Sequence, residues 1–192
     1  MGSLLKTLYT ASQSVFTLRE IALLGEEKNL AALRSRVFYW VKSEKLIRLR
    51  RGIFAKSDQY DRNELATRLY TPAYVSFETI LAREGVIFQF YDSIFVASYM
   101  SRETVIGGQK FICRKMKDTV LSSKEGLIDK GTYFEASRER AFLDLLYFFK
   151  DAQFDNLRSI DWVQCQKLVS IYQNKRLEKA VSIYQKEYAQ QK

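Results

Sequence analysis

Eight side chains in the first third of the chain are suited to gripping a polyanion: Arg34, Ser35, Arg36, Tyr39 and Lys42, followed by Arg48, Arg50 and Arg51. The first group falls on or beside one face of a helical stretch whose middle is small, with Ala31, Ala32 and Ser35. Such a face lets a helix approach closely while guanidinium and phenol groups reach phosphates and base edges, as a major-groove reading helix requires. The second group stands in Lys45 to Lys56, where apolar and basic residues alternate into a tight turn at Arg50-Arg51-Gly52, the pattern of two short strands. Three arginines within four positions are hard to place in a core and well suited to the sugar-phosphate backbone. A basic helix by itself more often means a solvated face. Here basic helix, hairpin and charge coincide, which favours DNA.

Positioning these groups falls to a short series of elements. Thr17 followed by Glu20 satisfies the capping-box spacing, and Phe16 is placed to staple against Ile21. A helix is therefore expected from Thr17 until Gly25, with Gly25 to Lys28 as a turn. Asn29 is the expected N-cap of the basic helix, whose apolar face is Leu30, Leu33, Val37, Trp40 and Val41. Leu4, Leu5, Leu8 and Tyr9 predict a first helix that braces it. Three helices and a hairpin make a winged helix-turn-helix over residues 1–57.

Charge is distributed to match. The 192 residues carry a formal net charge of +9, and residues 1–56 hold 11 Lys/Arg against 4 Asp/Glu. A basic third on a nearly neutral remainder favours a nucleic-acid partner. The absence of histidine removes Ser-His and Cys-His nucleophiles and imidazole-ligated metals. Cys113 and Cys165 are isolated and read as buried thiols. No phosphate-cradling glycine motif occurs. No catalytic residue, cofactor or metal is therefore expected. The N-terminus lacks the apolar run of a signal peptide, and no segment reaches the ~20 apolar residues of a membrane span. A cytoplasmic location without membrane association is expected.

Beyond a polar loop near residues 57–63, residues 58–192 read as a second, mixed α/β domain, giving an α+β chain. A short helix starts at Asn63, and Tyr74 to Ala82 reads as another. Four β-rich runs follow: 86–88, 94–97, 104–106 and 110–113, with Gly107-Gly108 as a hairpin turn. They predict a small, mostly antiparallel sheet. Ser137 is placed to cap an almost wholly apolar helix through Phe149, and two C-terminal helices follow, about 161–173 and 174–190. Arg140 and Asp144, four apart, predict an ion pair. Lys110, Arg114, Lys115 and Lys117 predict a second basic patch, and Tyr172, Tyr184 and Tyr188 an exposed aromatic one.

The order of parts resembles the AbiEi antitoxins of bacterial abortive-infection (type IV) toxin-antitoxin systems. The resemblance is carried by the basic helix and Arg51-Gly52-Ile53-Phe54-Ala55, by Pro72 to Leu81 (PAYVSFETIL), and by Ala136 to Asp144 (ASRERAFLD). It implies a phage-defence antitoxin: a repressor that binds repeats in its own promoter and counteracts a nucleotidyltransferase-like toxin without a stable complex. By position it assigns DNA contact to Arg34, Ser35, Arg36, Tyr39, Lys42, Arg48, Arg50 and Arg51. The lack of a heptad seam predicts a monomer. The alternatives left open by the residues are a protein-interaction module and a Mg-dependent enzyme acting through Glu and Asp.

Overall fold

Leu4 and Leu8 turn the first helix, α1 (Gly2–Thr10), inward, and both are buried. Tyr9, expected on the same face, is half exposed and donates its hydroxyl to the Lys45 carbonyl at 2.5 Å. These features come from a computed structural model that describes residues 2–190. Its described residues are mixed α/β with two sheets, of three and six strands.

A strand that periodicity did not reveal, β1 (Val15–Thr17), precedes α2 (Leu18–Leu24). Thr17 ends β1 and caps α2 at once. Its hydroxyl accepts from the Glu20 amide at 3.2 Å, and the Glu20 carboxylate accepts from the Thr17 amide at 2.6 Å, the reciprocal box. Phe16 and Ile21 are both fully buried in one cluster. Asn29 caps α3 (Leu30–Lys42) by accepting from the Ala31 and Ala32 amides. Leu33, Val37 and Trp40 face inward, whereas Leu30, at the first turn, is exposed. Strands β2 (Ile47–Arg50) and β3 (Ile53–Ala55) form the antiparallel hairpin, turning through Gly52 at φ +80°, a conformation glycine adopts without strain. β1 completes the sheet in the order β1-β3-β2. Three residues alternate too briefly to stand out, and the pairing with β3 supplies what propensity does not.

Across the expected division at residues 57 and 58 the two halves share a core. Val15 and Ile53 pack with Leu65, Ala66, Leu69, Tyr70, Val96, Phe111 and Cys113. The helix after the loop, α4 (Arg62–Leu69), is capped by Asp61. Its buried Glu64 accepts from the Ser14 amide at 2.8 Å and the Ser14 hydroxyl at 2.6 Å, and Arg68 reaches Glu20 at 3.1 Å.

The larger sheet departs from expectation. Tyr74 opens no helix: β4 (Ala73–Val75) comes first, and α5 (Glu78–Arg83) follows a turn at Phe77, φ +56°. β4 sits centrally, antiparallel to β5 (Ser93–Ser98), and this pairing overrides the helical periodicity of the sequence. The expected strand at 86–88 is absent, because the Val86 amide donates to Leu81 while its carbonyl accepts from Asp155 and Asn156. β6 (Arg102–Ile106) and β7 (Gln109–Lys115) form the hairpin at Gly107-Gly108, both glycines with positive φ. After the one-turn α6 (Asp118–Ser122) come β8 (Leu127–Asp129) and β9 (Phe134–Ala136). In the order β6-β7-β5-β4-β9-β8 three of the five pairings are antiparallel, as expected, but β5/β7 and β4/β9 are parallel, so the sheet is mixed, and it is larger than the small one expected.

Ser137 caps α7 (Arg138–Phe148), which is buried from Glu139 to Leu146 and packs on α5. α8 (Trp162–Leu168) ends earlier than predicted and tightens into a 3-10 turn at Val169–Tyr172, which Gln173 closes at φ +46°. α9 (Lys175–Gln190) follows. Among the described residues no helix is long and apolar enough to cross a membrane.

Candidate nucleic-acid interface

Because Leu33, Val37 and Trp40 anchor one side of α3, the other side must face outward. Ala31, Ala32, Arg34, Ser35, Tyr39 and Lys42 are all exposed. Arg34 and Phe38, one turn apart, face the hairpin, where Arg48 and Arg51 stand. Between helix and hairpin lies a groove of about 600 Å³, lined by Leu18, Arg34, Phe38, Val41, Arg48, Arg51, Gly52 and Phe54. Among the described residues, Arg34, Arg48, Arg51 and Lys42 have no side-chain hydrogen bond or ion pair.

Four of the eight residues singled out by sequence are engaged differently. The register of β2 slips between Arg48 and Arg50, a bulge at Leu49 that breaks the alternation placing those two arginines on one face. Arg48 stays exposed, while Arg50 turns back toward the second half of the chain. There its guanidinium donates to the Tyr70 hydroxyl at 2.9 Å and lies 5.1 Å from the Tyr70 ring centre. Burial alone raises the Tyr70 phenol, but the hydrogen bonds with Thr104 and Arg50 outweigh it and hold its pKa below the ordinary value. Arg50 therefore ties the hairpin to the large sheet and is not a free phosphate clamp. Arg36, part exposed, pairs with Glu27 at 2.8 Å in the preceding turn. The Ser35 hydroxyl donates to the Ala31 carbonyl at 3.3 Å. Tyr39 keeps its ring exposed, with Lys45 6.0 Å from its centre.

The sequence reading missed Phe38. It lines the groove with 68% of its surface exposed, and its signal was an aromatic residue off the buried face of a helix, beside rather than within the apolar stripe.

The second basic patch does not form as predicted. Arg114 is buried and bidentate on Glu78, at 2.5 and 2.6 Å, among the rings of Phe77, Phe95, Phe148 and Phe149, each with its centre within 5.4 Å. Lys110 pairs with Glu103 at 2.7 Å, and Lys117 donates to the Tyr172 carbonyl. Nor do the three C-terminal tyrosines make an exposed patch. Tyr172 is fully buried, Tyr184 donates to the Ala152 carbonyl at 2.7 Å, and Tyr188 packs on Trp162.

The predicted Arg140–Asp144 pair proves to be the polar centre of the larger core, with both side chains fully buried. Asp144 accepts from Tyr74 at 3.0 Å, Ser76 at 2.7 Å and Tyr172 at 2.6 Å, while the Arg140 Nε stands 3.7 Å away. Arg140 also donates to the Val120 and Glu125 carbonyls and to Tyr74. Removal from water raises the Asp144 pKa above the ordinary carboxylate range despite Arg140 and the three hydroxyls. Buried together, these residues hold α7, β4 and the 3-10 turn in place. Tyr74 and Ser76 thus serve the core. Both thiols are buried, and burial pushes Cys113 up to about 11 and Cys165 higher still. Among the described residues no three His, Cys, Asp or Glu side chains converge as a metal site.

Compared with known proteins, the chain matches no family model and no curated protein.

Proposed function

We propose that residues 1–57 are a winged helix-turn-helix and that the protein is a duplex-DNA-binding transcriptional repressor. The observation that carries this is the convergence of three unpaired guanidinium groups, Arg34, Arg48 and Arg51, on the groove between an exposed helix and a β-hairpin. Unpaired exposed arginines on a concave surface concentrate positive potential and release counterions from DNA on binding. Ala31, Ala32 and Ser35 leave the outer face of α3 low enough to enter a major groove, where Tyr39 and Lys42 meet base edges and phosphates. Arg36 joins them by exchanging its part-exposed pair with Glu27, worth on the order of 1 kcal/mol, for a base or phosphate. Arg50 acts from behind, fixing the hairpin against the large sheet.

In this proposal residues 58–192 form the antitoxin part of an AbiEi-like protein that represses its own operon in the cytoplasm and opposes a nucleotidyltransferase-like toxin. The resemblance in Pro72 to Leu81 and Ala136 to Asp144 supports the assignment. The test is fluorescence anisotropy of the protein with DNA from upstream of its gene and with a scrambled duplex. Sequence-preferring, salt-sensitive binding supports the proposal, and equal or undetectable binding to both refutes it.

A further inference from the structure

The groove between α3 and the hairpin has a property that phosphate clamping does not require: an apolar floor. Leu18, Phe38, Val41 and Phe54 line it, and Arg34, Arg48 and Arg51 stand around it. The surface therefore offers two recognition elements in one groove, an apolar lining and a set of guanidinium donors without partners among the described residues. Its volume of about 600 Å³ lies within the ~300–1,000 Å³ typical of small-molecule sites, which pair an apolar lining with a few convergent polar groups.

We propose that this groove binds a small amphipathic organic anion, an aromatic or aliphatic body carrying a carboxylate, sulfonate or phosphate. Charge and shape select this occupant. The guanidinium forks recognise a planar or tetrahedral anion by bidentate hydrogen bonding. Phe38, with 68% of its surface exposed, gains by being covered with an apolar ring or chain. A cation is repelled by the three arginines, and a neutral apolar molecule leaves them unused. Arg34, Arg48 and Arg51 are also the residues assigned above to DNA. If that assignment holds, the anion and the duplex compete, and the groove is where a metabolite relieves repression. The competition, though not the anion site itself, rests on the proposed function.

The probe is 8-anilinonaphthalene-1-sulfonate, an aromatic sulfonate whose emission rises on transfer to an apolar site. It is titrated into the full chain and into Phe38→Ser, Arg48→Gln and Phe90→Ser variants. Phe90 is the control, being 87% exposed on a different surface. Phe38→Ser and Arg48→Gln are expected to weaken binding roughly tenfold each, the scale of losing one aromatic contact or one hydrogen bond to a charged group. Phe90→Ser leaves it unchanged. Amide shifts on titration of the ¹⁵N-labelled protein centre on Leu18, Phe38 and Gly52. Emission insensitive to both groove substitutions, or abolished by Phe90→Ser, overturns the proposal, as do shifts centred elsewhere. Anisotropy with a labelled duplex separates the two claims. Groove-dependent probe binding without duplex binding leaves the anion site standing and removes the DNA reading, whereas duplex binding without groove-dependent probe binding does the reverse.

Discussion

Arg50 and Arg51 are neighbours of identical chemistry, yet they are placed differently, and exchanging each for alanine separates the tie Arg50 makes from the phosphate contact proposed for Arg51. Arg50 donates to Tyr70 at 2.9 Å and stacks 5.1 Å from its ring centre. A hydrogen bond involving a charged group is worth about 1.5–3 kcal/mol and a cation–π contact at a partly exposed site about 0.5–1 kcal/mol. These terms overlap in one pair and Arg50 keeps some exposure, so Arg50→Ala should cost about 2 kcal/mol. For a chain of this size that lowers Tm by about 4–8 °C. Arg51 is exposed and has no partner among the described residues, so Arg51→Ala should stay within ~0.5 kcal/mol of wild type. On DNA the order reverses for salt dependence: Arg51→Ala removes one neutralised phosphate and makes the slope of log affinity against log salt shallower by about 0.9. Arg50→Ala keeps the wild-type slope. Urea unfolding followed by tryptophan fluorescence and anisotropy over a salt series read the two effects. Equal stability of the two variants, or a slope change for Arg50→Ala alone, would refute the division of labour and the role given to the bulge.

Further outcomes follow from the buried groups. Asp144→Ala strands Arg140 in the core and should cost about 3–5 kcal/mol, whereas Arg140→Met/Asp144→Leu should cost clearly less than the sum of its single changes, measured by urea unfolding in a double-mutant cycle. Glu135 is opposed by burial, but the bidentate Arg83, at 2.8 and 2.9 Å, and Lys130 outweigh that and hold its pKa below the ordinary value. Its contribution is therefore full above the unfolded carboxylate pKa and lost as pH falls through the folded one, so the gap in urea midpoint between wild type and Glu135→Gln should narrow on acidification below about pH 4.5. A gap independent of pH contradicts this. Cys113 and Cys165, both buried with raised pKa, should resist Ellman's reagent at pH 8 until urea unfolds the chain, and prompt labelling of the native protein would show the core to be open there.

How much of this was readable in advance depended on whether the signal was local. The Thr17/Glu20 box, the Asn29 and Ser137 caps and the turns at Gly52 and Gly107-Gly108 are each satisfied by neighbouring backbone, and all stand where spacing put them. Tyr74 to Ala82 was misread because its first residues are claimed by pairing with β5, which no local pattern announces. The same limit applies to the interface. Exposure of Arg34, Tyr39, Lys42, Arg48 and Arg51 follows from the helical and hairpin periods, but the bulge at Leu49 shifts Arg50 out of period and toward a residue 20 positions away. Arg114 looked like surface charge because its acidic partner and its ring of phenylalanines come from three separate segments, at 77–78, 95 and 148–149. Composition shows how much charge a chain carries, while pairing in three dimensions decides which of it is free.

The most direct test of the central claim is anisotropy of the protein on its own upstream DNA against a scrambled duplex, from low to moderate salt, for wild type and Arg48→Ala/Arg51→Ala. With Arg34, Lys42, Arg48 and Arg51 each neutralising a phosphate, the wild-type slope should be about −3.6, and the double variant should bind both DNAs more weakly with a slope near −1.8. A preference for the upstream sequence accompanied by those slopes is the predicted result. A wild-type slope near zero, or a double variant indistinguishable from wild type, would contradict the assignment of this surface to DNA.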